Sequence, residues 1–335
     1  MKLKTTILSI LRGIDNRTKN CKPLFAHRCI LALAIPFALL LTGCEKKLPV
    51  YTEEVHITIP GMEDEVKLAF LSDLHIITLS DEIDESQKET VAARVGWSSY
   101  EGVSAKDQWP GWVDTLNLLE ADYILFGGDM VDVPTLSNIE ALKAEISRLN
   151  KPYMYIRADH DQSYSPYLVK DLTDEKTLGY QNSICEVEDV YIKEFDDFII
   201  VGWNLSTSLI TPEGLDKIKT AAATGKPLIL LTHVPIQPLS DESLSEKSKE
   251  VYQDRALIWG KNPNLTFYFP TEDTPNGLAT GELLDMIYAE DSPFVEVLCG
   301  HLHFSWDGQL TEKVHQHVFS AAFDRYMGLI TISGN

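Results

Sequence analysis

The chain has 335 residues, 44% hydrophobic and 24% charged, which is ordinary globular composition with enough apolar content for one large domain or two small ones. Its net charge of -21 hides an asymmetry: setting aside residues 1 to 43 leaves 22 basic against 49 acidic residues, a net charge of -27. Such a surface repels nucleic acid phosphates at long range, and no large cluster of Lys and Arg occurs beyond residue 43 to offset it, so polynucleotide substrates are disfavoured.

The first 43 residues run from a basic, polar segment into the apolar "CILALAIPFALLL" of residues 29 to 41, followed by Thr42, Gly43 and Cys44. The apolar run is shorter than the ~20 residues that span a bilayer, and it carries Pro36. The ending "LTGC" resembles the bacterial lipobox, in which cleavage before the cysteine leaves a thiol to be acylated. The resemblance implies a signal peptide over residues 1 to 43, Cys44 as the lipidated first mature residue, and an extracytoplasmic protein anchored to a bacterial membrane. A polar tether over residues 44 to 52 then leads into a domain at 53 to 335. Loss of Cys21 and Cys29 and modification of Cys44 would leave Cys185 and Cys299, too few for a disulfide framework.

Five apolar runs of strand length follow, each ending in residues of a metal-binding type: "VKLAFLSDLH" (66 to 75), "YILFGGD" (123 to 129), "YMYIRADHD" (153 to 161), "LILLTH" (228 to 233) and "FVEVLCGHLH" (294 to 303). Continuous apolar runs predict strands covered on both faces, as in α/β proteins, where ligands gather beyond the carboxyl ends of the strands. Between them, residues 136 to 150 predict a helix with Ser137 and Glu140 as a capping box. Residues 211 to 224 predict another, with Thr211 as N-cap and Pro212 in its first turn. Residues 281 to 290 predict a third. "VYIKEFDDFIIVG" from Val190 to Gly202 reads as two strands around a turn, and "VHQHVFSAAF" and "GLITIS" as further strands. Residues 77 to 110 and 238 to 280 are polar and too long for ordinary connections; they either border the site or decorate the surface.

Five of the nine histidines, His75, His160, His233, His301 and His303, sit in the strand-end clusters with Asp73, Asp129 and Asp159. Each would be a costly polar burial without a common partner, and mixed imidazole and carboxylate ligands suit Mn, Fe or Zn better than calcium. The ordered set "DLH", "GGD", "ADHD", "TH" and "GHLH" resembles the signature blocks of the calcineurin-like metallophosphoesterases, the superfamily that includes purple acid phosphatases. That resemblance implies an α/β, four-layer β-sandwich of two mixed sheets flanked by helices. It also implies two divalent or trivalent transition-metal ions (Mn, Fe or Zn) and a phosphoester substrate. Asp73, His75 and His303 would hold one ion, Asp129 would bridge both, and Asp159, His233 and His301 would complete the second. A hydroxide bridging the ions would attack phosphorus. His160 would face the substrate as general acid, with Asp161 orienting it. Where the family usually has Gly-Asn, this chain has Ala158 and Asp159; the added carboxylate is expected to shift the metal preference or raise the pH optimum.

Further candidates lie around this set. Arg94 and Arg157 are possible phosphate contacts, and Trp97 and Trp112 could line the cleft. His315 and His317 alternate along a strand and share a face, but lack a third ligand nearby in the sequence. The reading from a different class is a non-catalytic metal-binding or scaffold protein of the same fold, which should have lost a ligand or the substrate-facing histidine; none is missing here.

Overall fold

The computed structural model describes residues 48 to 162, 174 to 185, 188 to 204, 209 to 239, 241 to 252 and 273 to 334. The stretch expected to be a signal peptide, the expected lipidation site Cys44 and the first residues of the expected tether lie outside that set. Strand β1 (Tyr51–Thr58) begins inside the stretch expected to be tether. Residues from Pro49 onward form one unit.

The apolar runs become β2 (Val66–Leu71), β3 (Tyr123–Phe126) and β4 (Tyr153–Tyr155), which are joined side by side in parallel. Strand β11 (Tyr326–Ser333) runs antiparallel to β2 and parallel to β1, completing a five-stranded mixed sheet of order β1-β11-β2-β3-β4. The second sheet contains β5 (Val190–Glu194), β6 (Ile199–Trp203), β7 (Leu228–Leu231), β8 (Phe294–Cys299), β9 (Trp306–Gln309) and β10 (His315–Val318), in the order β5-β6-β7-β8-β10-β9. Its central strands are parallel and its two edges antiparallel.

Alternation along the strands makes three apolar layers, because successive side chains leave a strand on opposite faces. Leu68, Phe70, Leu125, Met154 and Ile156 from one sheet meet Ile200, Ile229, Leu231 and Leu298 from the other. On its outer face the first sheet sends Ala69, Leu71, Ile124 and Phe126 against Trp109, Trp112 and Leu116 of α2 (Ala105–Leu118) and Ile139 and Leu142 of α3 (Leu136–Ile146). The second sheet's outer face packs Ile199, Val201, Leu228 and Leu230 on Leu215 and Ile218 of α6 (Pro212–Ala222) and on Leu283 and Ile287 of α8 (Pro275–Tyr288). The result is the expected four-layer sandwich of two mixed sheets flanked by helices. Strands buried on both faces explain why they read as unbroken apolar runs.

Local differences from expectation have physical reasons. Helix α3 is capped by Thr135, whose side chain accepts from Asn138 N at 3.2 Å, rather than by a Ser137–Glu140 box. Two more of its first-turn N–H groups donate to the Glu82 carboxylate, at 3.0 Å from Leu136 N and 3.1 Å from Ser137 N, so a residue 54 positions away serves as an additional cap. Thr211 and Pro212 start α6 as expected. Helix α8 begins earlier than position 281, at Pro275, with Thr274 accepting from Gly277 N. The stretch 77 to 110 is less irregular than its composition suggests. It holds α1 (Lys88–Trp97) and the first turns of α2. In the second long stretch α7 (Ser243–Tyr252) forms, while residues 253 to 272 lie outside the described set.

Candidate metal centre

Beyond their last regular residues, β2 and β3 keep pairing: Asp73 N donates to Gly128 O and His75 N to Asp129 O, both at 2.9 Å, and Asp132 N donates to Ile76 O at 3.0 Å. This continuation carries Asp73, His75 and Asp129 onto one ridge. Five of the seven non-glycine residues with positive φ among the described residues are Asp73, His75, Asp129, His301 and His303. Left-handed backbone is unfavourable for residues with a Cβ, and such strain concentrates at functional sites. At each of the three strand ends the left-handed residues are themselves candidate ligands.

Two glycines make the approach possible. A Cβ on Gly128, itself at φ +95, would lie 2.8 Å from the Ala158 Cβ and 3.0 Å from His233 Nδ1. On Gly300 it would meet Ser72 Oγ at 2.3 Å and Asp73 Oδ2 at 2.4 Å. The glycines of "GGD" and "GHLH" are therefore sites where two loops touch backbone to side chain.

The side chains fall into two groups that could each hold an ion: Asp73, His75 and His303, and Asp129, Asp159, His233 and His301. The Asp129 carboxylate stands between them, with Oδ2 3.1 Å from His233 Nε2 and 3.7 Å from His75 Nε2. Asp73 Oδ1 lies 3.2 Å from His303 Nε2 and 3.8 Å from His75 Nε2, and the two imidazole Nε2 atoms of His75 and His303 face each other at 3.3 Å. Donor atoms bound at about 2.0–2.2 Å to one transition-metal ion are separated by roughly 3–4 Å. Among the described residues no hydrogen bond reaches Asp159 Oδ1, and Asp73 Oδ1 has only the imidazoles of His303, His75 and His233 near it, at 3.2, 3.8 and 3.9 Å, so both buried oxygens call for another counterpart. The donor set therefore fits two transition-metal ions.

Hydrogen bonds from behind orient the ligands. The His233 Nδ1–H donates to Gly127 O at 2.8 Å, turning Nε2 toward Asp129. His75 Nδ1 meets Asp132 Oδ1 at 3.0 Å, turning its Nε2 inward. Asp73 Oδ2 is held by Ser72 Oγ at 2.6 Å and by His301 N at 3.1 Å. Against burial, which would lower them, the carboxylates Asp129 and Asp73 hold His233 up at about 10, and Asp132, Asp73 and Asp129 do the same for His75. Burial and the neighbouring His233 push His301 down to about 3. Burial and Asp129 raise Asp159. Without ions, then, protons on His75 and His233 supply the positive charge that the aspartates demand.

His160 lies beside this cluster, as expected, but Asp161 does not orient it. The Asp161 carboxylate faces away and accepts from Asp129 N at 2.7 Å, Val131 N at 3.1 Å, Ala158 N at 3.0 Å and the Tyr155 hydroxyl at 2.8 Å. It ties the Asp129 loop to the His160 loop, and burial with the Asp129 charge raises it to about 6. The group that meets the His160 ring is Asp132, through both its carboxylate Oδ1 and its carbonyl at 3.0 Å from Nδ1. Asp132 is fully buried and also binds His75 and Arg94. It belongs to no signature block; its only trace in the sequence is an acid three residues after Asp129.

Of the other candidates, Arg94 is committed to Asp132. Arg157 is buried, with its guanidinium directed at the Gln181 side chain, 3.4 Å away. Trp112 is core, its indole N–H donating to Ala322 O at 3.2 Å. Trp97 is 47% exposed, with its ring centroid 5.3 Å from His75 and 5.5 Å from His303, so it walls the centre where α1 ends. Phe323, unremarked in the sequence, packs on the same rings, 5.2 Å from His303 and 4.8 Å from Trp97.

Residues 66–305 match the profile of the calcineurin-like phosphoesterases, and the chain belongs to that family. Solved structures similar to it include a dimetal phosphatase from Danio rerio (11% identity, TM-score 0.46, 77% of this chain and 88% of the other). A purple acid phosphatase from yellow lupin seeds is 14% identical, with a TM-score of 0.45 over 78% of this chain and 44% of its own. A phosphopantetheinyl hydrolase from Mycobacterium tuberculosis is 10% identical, with a TM-score of 0.38 over 78% and 91% of the two chains. No curated protein matches the sequence significantly.

Proposed function

We propose that the protein is a phosphoester hydrolase that works with two transition-metal ions on the extracytoplasmic side of a bacterial membrane, to which Cys44 anchors it. The observation that carries the catalytic reading is the Asp129 carboxylate placed between two ligand groups, Oδ2 within 3.1 Å of His233 Nε2 on one side and 3.7 Å of His75 Nε2 on the other. Asp73, His75 and His303 would hold one ion and Asp159, His233 and His301 the other, with Asp129 placed between the two groups. When bound, such a pair supplies a hydroxide nucleophile at neutral pH and neutralises the phosphoryl oxygens.

The chain's own groups do the rest. Asp132 and Gly127 O hold the His75 and His233 rings in one orientation, so the donor atoms are placed before substrate arrives. Asp129 and Asp132, outweighing burial, raise His160 and favour its protonated form. With Nδ1 engaged by Asp132, Nε2 is the nitrogen that gives a proton to the leaving oxygen. Trp97 closes one side with an aromatic face suited to an apolar or planar leaving group. The seven candidate ligands and His160 stand together, which supports the catalytic reading over a scaffold that has lost one of them.

Hydrolysis of aryl phosphate mono- and diesters after manganese or zinc reconstitution tests the reading. Turnover is expected, with His160→Gln lower in kcat by on the order of 100-fold or more; bound metal with no turnover on either ester would overturn it. The anchor is tested by fractionation: Cys44→Ser should move the protein from membrane to soluble fractions.

A further inference from the structure

The inter-sheet layer holds a second ligand-like cluster, on different strands from those that hold the paired centre's aspartates. His315 and His317 of β10 project on the same face, as alternation along a strand requires. Their sequence neighbourhood offers no third ligand. The sheet supplies one: β10 pairs in parallel with β8, His315 lies opposite Glu296, and the two imidazoles close on a single oxygen of that carboxylate. His315 Nδ1 is 3.3 Å and His317 Nε2 is 3.6 Å from Glu296 Oε1, and the three donor atoms lie within 4.8 Å of one another.

Glu296 is only 4% exposed, although it is a carboxylate in a layer otherwise filled by side chains such as Leu298 and Phe319. A buried carboxylate needs a matching partner. A hydrogen bond from His315 provides part of that, but neither ring nitrogen of His317 makes a hydrogen bond among the described residues, and its Nε2 points at the oxygen already shared. Donors about 2.0–2.1 Å from a tetrahedral ion stand about 3.3 Å apart, close to both spacings. Asp307 on β9 lies 3.9 Å from the opposite nitrogen of His315, Nε2, where a carboxylate favours the tautomer that leaves Nδ1 open for an ion.

The geometry points to a third metal site, Glu296–His315–His317, that takes one borderline transition-metal ion of the zinc class and pins β8 to β10. Two imidazoles and one carboxylate suit zinc, cobalt or copper, and are poor for magnesium or calcium. The ion is structural rather than catalytic. It sits on the strand that continues into Gly300, His301 and His303, three residues back from Cys299, or about 10 Å at ~3.3 Å per residue.

The test compares the purified full chain with a His315→Gln/His317→Gln variant, in which glutamine keeps a hydrogen-bond donor to Glu296 but is a poor zinc ligand. Both are stripped by chelator, saturated with zinc and desalted, and bound zinc is counted. The variant should hold one zinc fewer per chain and retain phosphoesterase activity, and zinc should raise its thermal midpoint less. Equal zinc contents would overturn the inference. Because the result is a difference, it does not depend on how well the paired centre fills. Should the variant not fold, the unaltered chain decides: after two equivalents of zinc, added copper should give an electron paramagnetic resonance signal with nitrogen coupling from two imidazoles. Copper without such coupling would sink the site.

Discussion

Asp132 takes its importance from what it touches. One buried carboxylate holds the His75 ring, the His160 ring and the Arg94 guanidinium, so it links a candidate metal ligand, the proposed acid and the helix that carries Trp97. Asp132→Asn should lower metal affinity about 10- to 100-fold, the usual cost of losing a group that orients a ligand. It should also move the alkaline limb of the rate profile to lower pH, because His160 loses a carboxylate that favours its protonated form. Metal titration and kcat against pH check both, and unchanged values would return the steering role to Asp161. At Asp159 the expectation is different: Asp159→Asn removes the charge that burial and Asp129 already oppose, so metal should remain bound and the pH optimum should fall. Loss of metal and activity together, with normal folding, would show that the carboxylate is essential.

Helix α3 shows how far local rules reach. The sequence pattern located its apolar face, with Ile139 and Leu142 inward as expected, yet two acceptors outside the helix satisfy its first turn. Thr135 stands one residue ahead of the predicted start, and Glu82 comes from the preceding long segment. Thr135→Ala should cost about 1 kcal/mol, while Ser137→Ala should be close to neutral. Urea unfolding of both variants distinguishes this cap from a capping box, for which the order would be reversed. The same element contacts place the ligand-bearing turns, since the Glu82 segment leads into α1 and hence to Arg94 and Trp97. The strands were legible as apolar runs because both faces are buried. The helices inside residues 77 to 110 were not, because α1 buries Val91 alone and carries too weak a stripe to stand out.

For the whole molecule, the charge balance of the cluster sets how stability responds to pH. His75 and His233 are held up at about 10 in the absence of ions, against an ordinary 6.5, so the folded metal-free protein binds protons there that the unfolded chain releases. The stability they contribute is fully present below about 6.5 and is lost as pH rises toward 10. Differential scanning calorimetry of chelator-treated protein should show the thermal midpoint falling across that window. Reconstituted protein should show a flatter response, because ions replace those protons. Parallel curves for the two forms would mean that the ions do not occupy this cluster.

The ordered blocks in the sequence, through the resemblance they carry, were enough to expect the four-layer fold class and to nominate the residues of the two candidate ligand groups, because metal ligands are of a restricted chemical type and Asp and His recur at the ends of five apolar runs. The sequence did not determine which carboxylate steers His160, since Asp161 is adjacent in the chain and Asp132 is adjacent only in space. Nor did it supply Glu296 to His315 and His317: that contact exists because β8 and β10 pair in one register, and a register between strands is a property of the folded sheet. Tertiary structure also imposed the left-handed turns at Asp73, His75, Asp129, His301 and His303. Their strain is offset by packing and hydrogen bonds from segments far apart in the chain, and only the folded sandwich brings those segments together.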